Sequence, residues 1–362
     1  MPSKASIRAA AAGYLDRFKA AGAEVVEADI LQPASTLLDL YGEDIRARAY
    51  VTQDPLLGEQ MLRPDFTVPV VQMHMAEGAE PARYTYLGEV FRRQEEDTGR
   101  PSEYLQVGYE VFDREAPEAA DAEVFALIAK ALAPLKLRAA TGDIGILKAA
   151  VTGLQTSDRR KAALLRHIWR PRRFRALLDR FGGRTDLTPA RAALLEAADP
   201  MQSETPLTGL RTRVQIAERI SALQQDAALP PISQEEVALL DTVLSLRETM
   251  PNVLTALRDI AVDMPALRPS ADKLARRQDA LDAQGVDVAH LEFEASYGRT
   301  ALEYYDGFVF GFYAEARPDL PPVATGGRYD ALTQVLGQGR EIPAVGGVIR
   351  PGIALEIAED AP

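Results

Sequence analysis

Leu62-Arg63-Pro64-Asp65-Phe66-Thr67, Tyr86-Leu87-Gly88-Glu89-Val90-Phe91-Arg92 and Gln106-Val107-Gly108-Tyr109-Glu110 lie in the first third of the chain. Leu302-Glu303-Tyr304-Tyr305 and Thr325-Gly326-Gly327-Arg328-Tyr329-Asp330 follow near its end. Together they supply carboxylates, an arginine, an amide and tyrosines at spacings that suit strands lining one pocket. Residues 83–92 and 104–112 alternate as strands do, and the polar QEEDTGRPSE between them reads as a long hairpin loop. Gln106 and Glu110 are four apart, so on a strand they face the same side, with Tyr104 and Gly108. Gly108 is expected to leave room there for a ligand. Arg92 ends the partner strand. Asp65 and Thr67, just before a helix, add a carboxylate and a hydroxyl. Taken singly, each is as easily explained as a helix N-cap or as solvated sheet-face polarity. As a set they need partners or a ligand, because buried polar and charged groups are costly when unpaired.

Working outward, residues 4–21 carry Ile7, Ala11, Leu15 and Phe18 at helical spacing, ended by Gly22. Residues 24–31 read as a strand, 48–75 as strand–turn–strand running into a helix after Thr67, and 117–133 as an amphipathic helix. A short strand is expected near 137–144. Residues 155–283 are dense in Ala, Leu and Arg at helical spacing and read as a helical insertion. Strand patterns return at 287–315. TGGRYDALTQVL reads as a glycine turn feeding a helix, AVGGVI as a last strand, and PGIALEIAED as a closing helix. Hairpins outnumber βαβ crossovers, so the expectation is an α+β fold: an antiparallel sheet flanked by helices. Its core would comprise residues 1–150 and 285–362, with 151–284 the mainly helical insertion.

Composition narrows the function classes. The 362 residues are 47% hydrophobic and 26% charged, ordinary for a globular chain able to bury a sizeable core. A net charge of −12 argues against a general nucleic-acid binder. There are no cysteines, which excludes disulfides and thiolate metal sites, and His74, His167 and His290 lack metal-ligand spacing. No metal and no cofactor is expected. No apolar run reaches the roughly 20 residues of a membrane span, and the N-terminus carries Asp16 and Glu24 without an apolar signal core, so a cytoplasmic protein is expected.

The motifs resemble a known family. RPDFT is similar to the RPE-x-T element of histidyl-tRNA synthetases. YLGEVFRRQ…GRPSEYLQVGYEVFD resembles their class II motif 2. LEYYDG and ATGGRYD resemble their two histidine-specific signatures, and AVGGVI the strand of motif 3. Five elements occur in the family's order, over about residues 1–150 and 285–362. The resemblance implies that Asp65 and Thr67 bind the α-amino group of histidine. Gln106 and Glu110 would face the amino acid, Arg92 would contact its carboxylate, and Tyr305 and Tyr329, with the neighbouring Tyr304, would contact its ring. The chemistry agrees: a cation, an anion and a planar ring call for carboxylates, a cationic donor and aromatic walls.

The departures are equally specific. The family's histidine-specific arginine falls at Thr300, with Arg299 one residue off, and on a strand such a shift reverses facing. The glutamate two after the motif 2 arginine is Gln94, the loop arginine is Ser102, and the motif 3 arginine falls at Ile353. Arg350 substitutes only if Pro351 and Gly352 re-aim the chain. Adenylation needs cations on the phosphates, so an amino-acid pocket without an ATP pocket is expected, and no anticodon-reading domain is expected after motif 3. This combination resembles the synthetase-like regulatory subunits of ATP phosphoribosyltransferase. The resemblance implies a non-catalytic homodimer, joined through the motif 1 region at about residues 24–52. It would activate the short catalytic subunit in the first step of histidine biosynthesis and mediate feedback by free histidine. The alternative is a histidine-activating enzyme that acts on something other than tRNA. Separately, residues 158–175 carry eight basic residues around Trp169 and Phe174. They read either as a solvated helix face or as a docking patch for an acidic protein.

Overall fold

The computed structural model describes residues 2–36, 49–94, 101–202, 208–299 and 304–360. Helix α1 (Lys4–Ala20) starts at Ser3, whose Oγ accepts from the Ser6 N–H, and buries Ala11 and Phe18. Strands β1 (Glu24–Val25), β2 (Leu31–Pro33), β3 (Val51–Asp54) and β4 (Gly58–Leu62) follow, then helix α2 (Thr67–Glu77). The long hairpin strands are β5 (Ala82–Phe91) and β6 (Glu103–Phe112), succeeded by α3 (Pro117–Leu132), β7 (Arg138–Asp143) and α4 (Ile144–Gly153). Among the described residues, seven further α-helices occupy the middle of the chain: α5 (Asp158–Arg166), α6 (Pro171–Phe181), α7 (Pro189–Glu196), α8 (Arg213–Ala227), α9 (Gln234–Ser245), α10 (Met250–Asp263) and α11 (Arg268–Ala283). Strand β8 (Arg247–Thr249) falls among them. The last part comprises β9 (Glu292–Glu294), β10 (Phe308–Tyr313), β11 (Ala324–Arg328), α12 (Asp330–Leu336), β12 (Ala344–Ile349) and α13 (Pro351–Asp360).

Nine strands form one sheet in the order β1-β5-β6-β12-β11-β10-β7-β9-β8, and β2-β4-β3 form a small second sheet. Only β1–β5 and β7–β9 pair in parallel; the other pairings are antiparallel. The expected α+β architecture is therefore present. Three local expectations are corrected. Residues 24–31 do not make one strand: only β1 and the start of β2 are extended there. Among the described residues of 287–315, only those of β9 and β10 are strands. Thr325-Gly326-Gly327-Arg328 is not a turn but the body of β11, between β12 and β10. Its glycines serve close packing. A Cβ on Gly326 would lie 2.2 Å from the Phe310 ring, and one on Gly327 2.8 Å from the Tyr305 ring.

Register sorts the sheet into two faces. Tyr109, Gly347, Gly326 and Phe310 stand side by side across β6, β12, β11 and β10. That face is covered by α1 and α3: Phe18 packs 5.3 Å from Tyr109, and Phe125 lies 5.4 Å from Phe310. Glu110, Gly346, Gly327 and Val309 line up on the other face. The middle helices are tied to this frame. Strand β8 extends the main sheet through β9. Arg277 of α11, buried, donates to Asp121 of α3 and to Asp143 at the end of β7, both at 2.8 Å. Arg328 of β11 shares the same Asp121 at 2.8 Å. Two arginines thus converge on one fully buried carboxylate. Such a cluster is tolerable only because each charge is matched and hydrogen-bonded. No helix among the described residues is long and apolar enough to cross a membrane.

Candidate functional site

The loop between β4 and α2 is clamped from two sides. Arg63 donates through Nε to the Glu89 carbonyl at 2.8 Å, and its guanidinium lies 4.0 Å over the Phe66 ring. Arg92, just past β5, donates through Nε to the Pro64 carbonyl at 2.9 Å. Gly88 makes this possible, since a Cβ there would meet both Arg63 and Phe66 inside 3 Å. The clamp sets Asp65 and Thr67 against the open face of the sheet. Neither is a helix cap: the N-cap of α2 is Phe66, with no side-chain cap bond. Thr67 instead donates to Glu110 Oε1 at 3.2 Å.

Glu110 is the centre of the arrangement. It is 1% exposed. Besides Thr67, the Tyr86 hydroxyl donates to its Oε1 at 2.9 Å and the Tyr329 hydroxyl to its Oε2 at 2.6 Å. Burial pushes its pKa up to about 7, opposed by the three hydroxyls, while the Asp65 charge adds to the rise. The carboxyl is therefore poised near neutrality, ready to be ionised by an arriving cation. Burial and the Glu110 charge in turn drive the Tyr86 and Tyr329 hydroxyls well above their ordinary pKa, so both remain donors.

Tyr329 reaches Glu110 because Asp306 accepts from the backbone N–H groups of Asp330 and Ala331, at 3.0 and 3.1 Å. The same contact fixes the preceding Tyr304 and Tyr305. The Tyr304 ring lies 4.9 Å from that of Tyr305 and 6.2 Å from that of Tyr329, edge to face. The outcome is a cleft of about 330 Å³, its mouth included, lined by Asp65, Thr67, Arg92, Gln106, Glu110, Tyr304, Tyr305 and Tyr329. Gln106 is 1% exposed, and its side-chain oxygen accepts no hydrogen bond from the described residues, an orphan acceptor in the cleft wall.

The eight residues expected from sequence to contact a ligand all line this cleft, but Gly108 does not act as expected. A Cβ on it would lie 2.1 Å from the Tyr86 ring, so the space it leaves is filled by Tyr86 and not kept for a ligand. Sequence reasoning gave no role to Tyr86, Gly346 or Thr325, and raised Arg350 only as a conditional substitute for the motif 3 arginine. Tyr86 holds Glu110 from below and stacks on Phe66 at 4.3 Å. Gly346 makes room for the Glu110 carboxylate, which a Cβ would overlap at 1.4 Å. Thr325 and Arg350 complete the wall. The glycine pair inside AVGGVI was a visible signal for Gly346; the placement of Tyr86 needed the β5–β6 register.

Other expectations separate. Arg299 is turned away: its Nε donates to the Ile168 carbonyl at 2.8 Å and its guanidinium sits 4.8 Å over Phe174. Thr300 lies outside the described residues. Ile353 is in α13, outside the cleft lining. The basic segment 158–175 divides. Arg160 is buried against Asp226 at 2.7 Å and Arg175 pairs with Asp241 at 2.5 Å, whereas Arg159, Arg166, Arg172 and Arg173 are exposed. Of the eight basic residues, only Arg160 is buried.

Comparison with known proteins places this geometry. A family model described as histidyl-tRNA synthetase matches residues 2–229 and 212–351. The chain is 32% identical to an ATP phosphoribosyltransferase regulatory subunit of Mesorhizobium japonicum, over 93% of this chain and 94% of that protein. It is 34% identical to one of Brucella canis, over 90% of each. Among solved structures it resembles a Bacillus halodurans protein described as an ATP phosphoribosyltransferase regulatory subunit/histidyl-tRNA synthetase. The TM-score is 0.69 at 19% identity, covering 99% of this chain and 81% of that one. A class II synthetase-like sheet and relatives matched nearly end to end agree: this chain belongs to the histidyl-tRNA synthetase-like family of ATP phosphoribosyltransferase regulatory subunits.

Proposed function

We propose that this chain is the non-catalytic regulatory subunit of a short-form ATP phosphoribosyltransferase. It binds free histidine in the cleft around Glu110, activates the short catalytic subunit by assembling with it, and transmits feedback inhibition in the first step of histidine biosynthesis. The observation that carries the histidine reading is the layout of the cleft. Carboxylates of Asp65 and Glu110 lie under a roof of tyrosines, with guanidinium groups of Arg92 and Arg350 in the same lining. A zwitterion with an aromatic ring matches that layout group for group. Arg299, engaged with Ile168 and Phe174, supports a pocket that holds histidine without adenylating it.

Glu110→Ala removes a charge-assisted bond of roughly 1.5–3 kcal/mol, which is about 10–150-fold in histidine affinity by calorimetry. The assembled phosphoribosyltransferase should then stay active but respond less to histidine. Unchanged affinity would mean that the pocket is elsewhere. Loss of activation together with feedback would mean that pocket and docking surface are one. Histidine-dependent ATP–pyrophosphate exchange by this chain would favour the histidine-activating alternative.

Self-association is part of the proposal. Val25, Ile30, Leu31, Tyr50, Val51, Leu56 and Leu57 are exposed large hydrophobics gathered in and beside the small sheet β2-β4-β3. A concentration of apolar surface on that scale marks an interaction site. It coincides with the region expected to join two copies, of which residues 37–48 lie outside the described set.

A further inference from the structure

We propose that Arg350 is a second anion anchor of the cleft, holding the α-carboxylate of a bound amino acid opposite the acidic end formed by Asp65 and Glu110. This rests on the amino-acid reading of the site. Arg350 follows the last residue of β12, and Pro351 opens α13 directly behind it. Its backbone N–H donates to the Val323 carbonyl at 2.8 Å, so the turn is pinned to the strand beside it. The side chain is pinned as well: Nη1 donates to the Pro322 carbonyl at 2.8 Å and Nη2 to Thr325 Oγ1 at 3.2 Å. Both acceptors are neutral oxygens, and among the described residues Arg350 forms no ion pair with a carboxylate.

Part of the Arg350 surface stays open to the cleft, yet protein surrounds its guanidinium closely enough for burial to lower its pKa. The Arg92 charge lowers it further, against the favourable influence of Tyr104. Two like charges are thus held near one another, one of them on a fixed guanidinium with no carboxylate among the described residues to neutralise it. Such an arrangement favours an incoming anion. The Glu110 carboxyl is satisfied separately, by the hydroxyls of Thr67, Tyr86 and Tyr329. The cleft therefore carries an acidic end and a basic end. That polarity fits a free α-amino acid.

The test is calorimetry on the full chain with L-histidine and with histamine, which keeps the ring and the amine but lacks the carboxylate. Wild type should bind histidine at least about tenfold more tightly than histamine. Arg350→Met should weaken histidine about ten- to a hundredfold while leaving histamine nearly unchanged, so that the preference collapses. Arg350→Lys should restore part of it. Circular dichroism melts of each variant check folding, and the wild-type preference is read without any substitution. Equal weakening of both ligands by Arg350→Met, or no weakening of either, would overturn the assignment. Displacement of histidine by inorganic phosphate in wild type but not in Arg350→Met would assign the anchor to a phosphate instead. If wild type binds neither ligand, the histidine reading itself fails, whatever Arg350 does.

Discussion

Glu110 shows how one side chain can make binding and stability depend on pH. Its carboxyl is raised to about 7 from an ordinary value of 4.5, mainly by burial. Between those values the folded chain holds a proton that the unfolded chain has released. Stability should therefore fall as pH rises through that window and level off above it. Glu110→Gln should flatten this slope, which thermal melts of the two proteins between pH 4.5 and 8 would show. Ligand binding should run the other way. A cationic amine needs the ionised carboxylate, so histidine affinity should rise through pH 7, with proton release below it. Titrations in buffers of different ionisation enthalpy measure that release directly.

At the scale of elements, the site depends on how closely strands can approach. Glu110 of β6 and Gly346 of β12 are directly paired, and the carboxylate occupies the space that a side chain at 346 would need. Gly346→Ala should push Glu110 off the Tyr329 hydroxyl. We expect a loss of about 1–3 kcal/mol in denaturant unfolding, typical of overpacking, together with loss of histidine binding. The buried cluster that joins α3, α11 and β11 makes a separate prediction. Asp121→Ala leaves Arg277 and Arg328 without their shared, fully buried carboxylate. Breaking a buried pair from one side costs about 3–5 kcal/mol, which urea titration should resolve. The cleft lies on the opposite face of the sheet, so any properly folded fraction should retain ligand affinity.

At the scale of the whole molecule, the exposed apolar residues around the small sheet predict a stable self-assembly. Sedimentation at micromolar concentration should show a dimer. Replacing Leu56 and Leu57, at 94% and 73% exposure, with Asp should shift it toward monomer while histidine affinity stays unchanged. A strictly monomeric wild type would count against the assembly proposed here. Co-purification with a short phosphoribosyltransferase lacking its own regulatory domain tests the larger complex.

Much of this protein is legible in its sequence because the informative groups are local in period. Gln106 and Glu110 share a face by alternation alone, and the helices of the middle segment follow from spacing. Asp65, Thr67, Arg92 and the tyrosines are legible through the order of motifs rather than through any physical property of one residue. What the sequence could not decide depends on contacts across strands. Thr325-Gly326-Gly327-Arg328 has the composition of a turn, and only the rings of Phe310 and Tyr305 explain why glycine fills a central strand there. The space left by Gly108 belongs to Tyr86, and that of Gly346 to Glu110, because register sets which residue faces which. Arg350 became a cleft residue only when the turn into α13 and its bonds to Pro322 and Thr325 fixed its direction. Alternation states which side of a strand a residue faces, but only the folded sheet determines what it meets there.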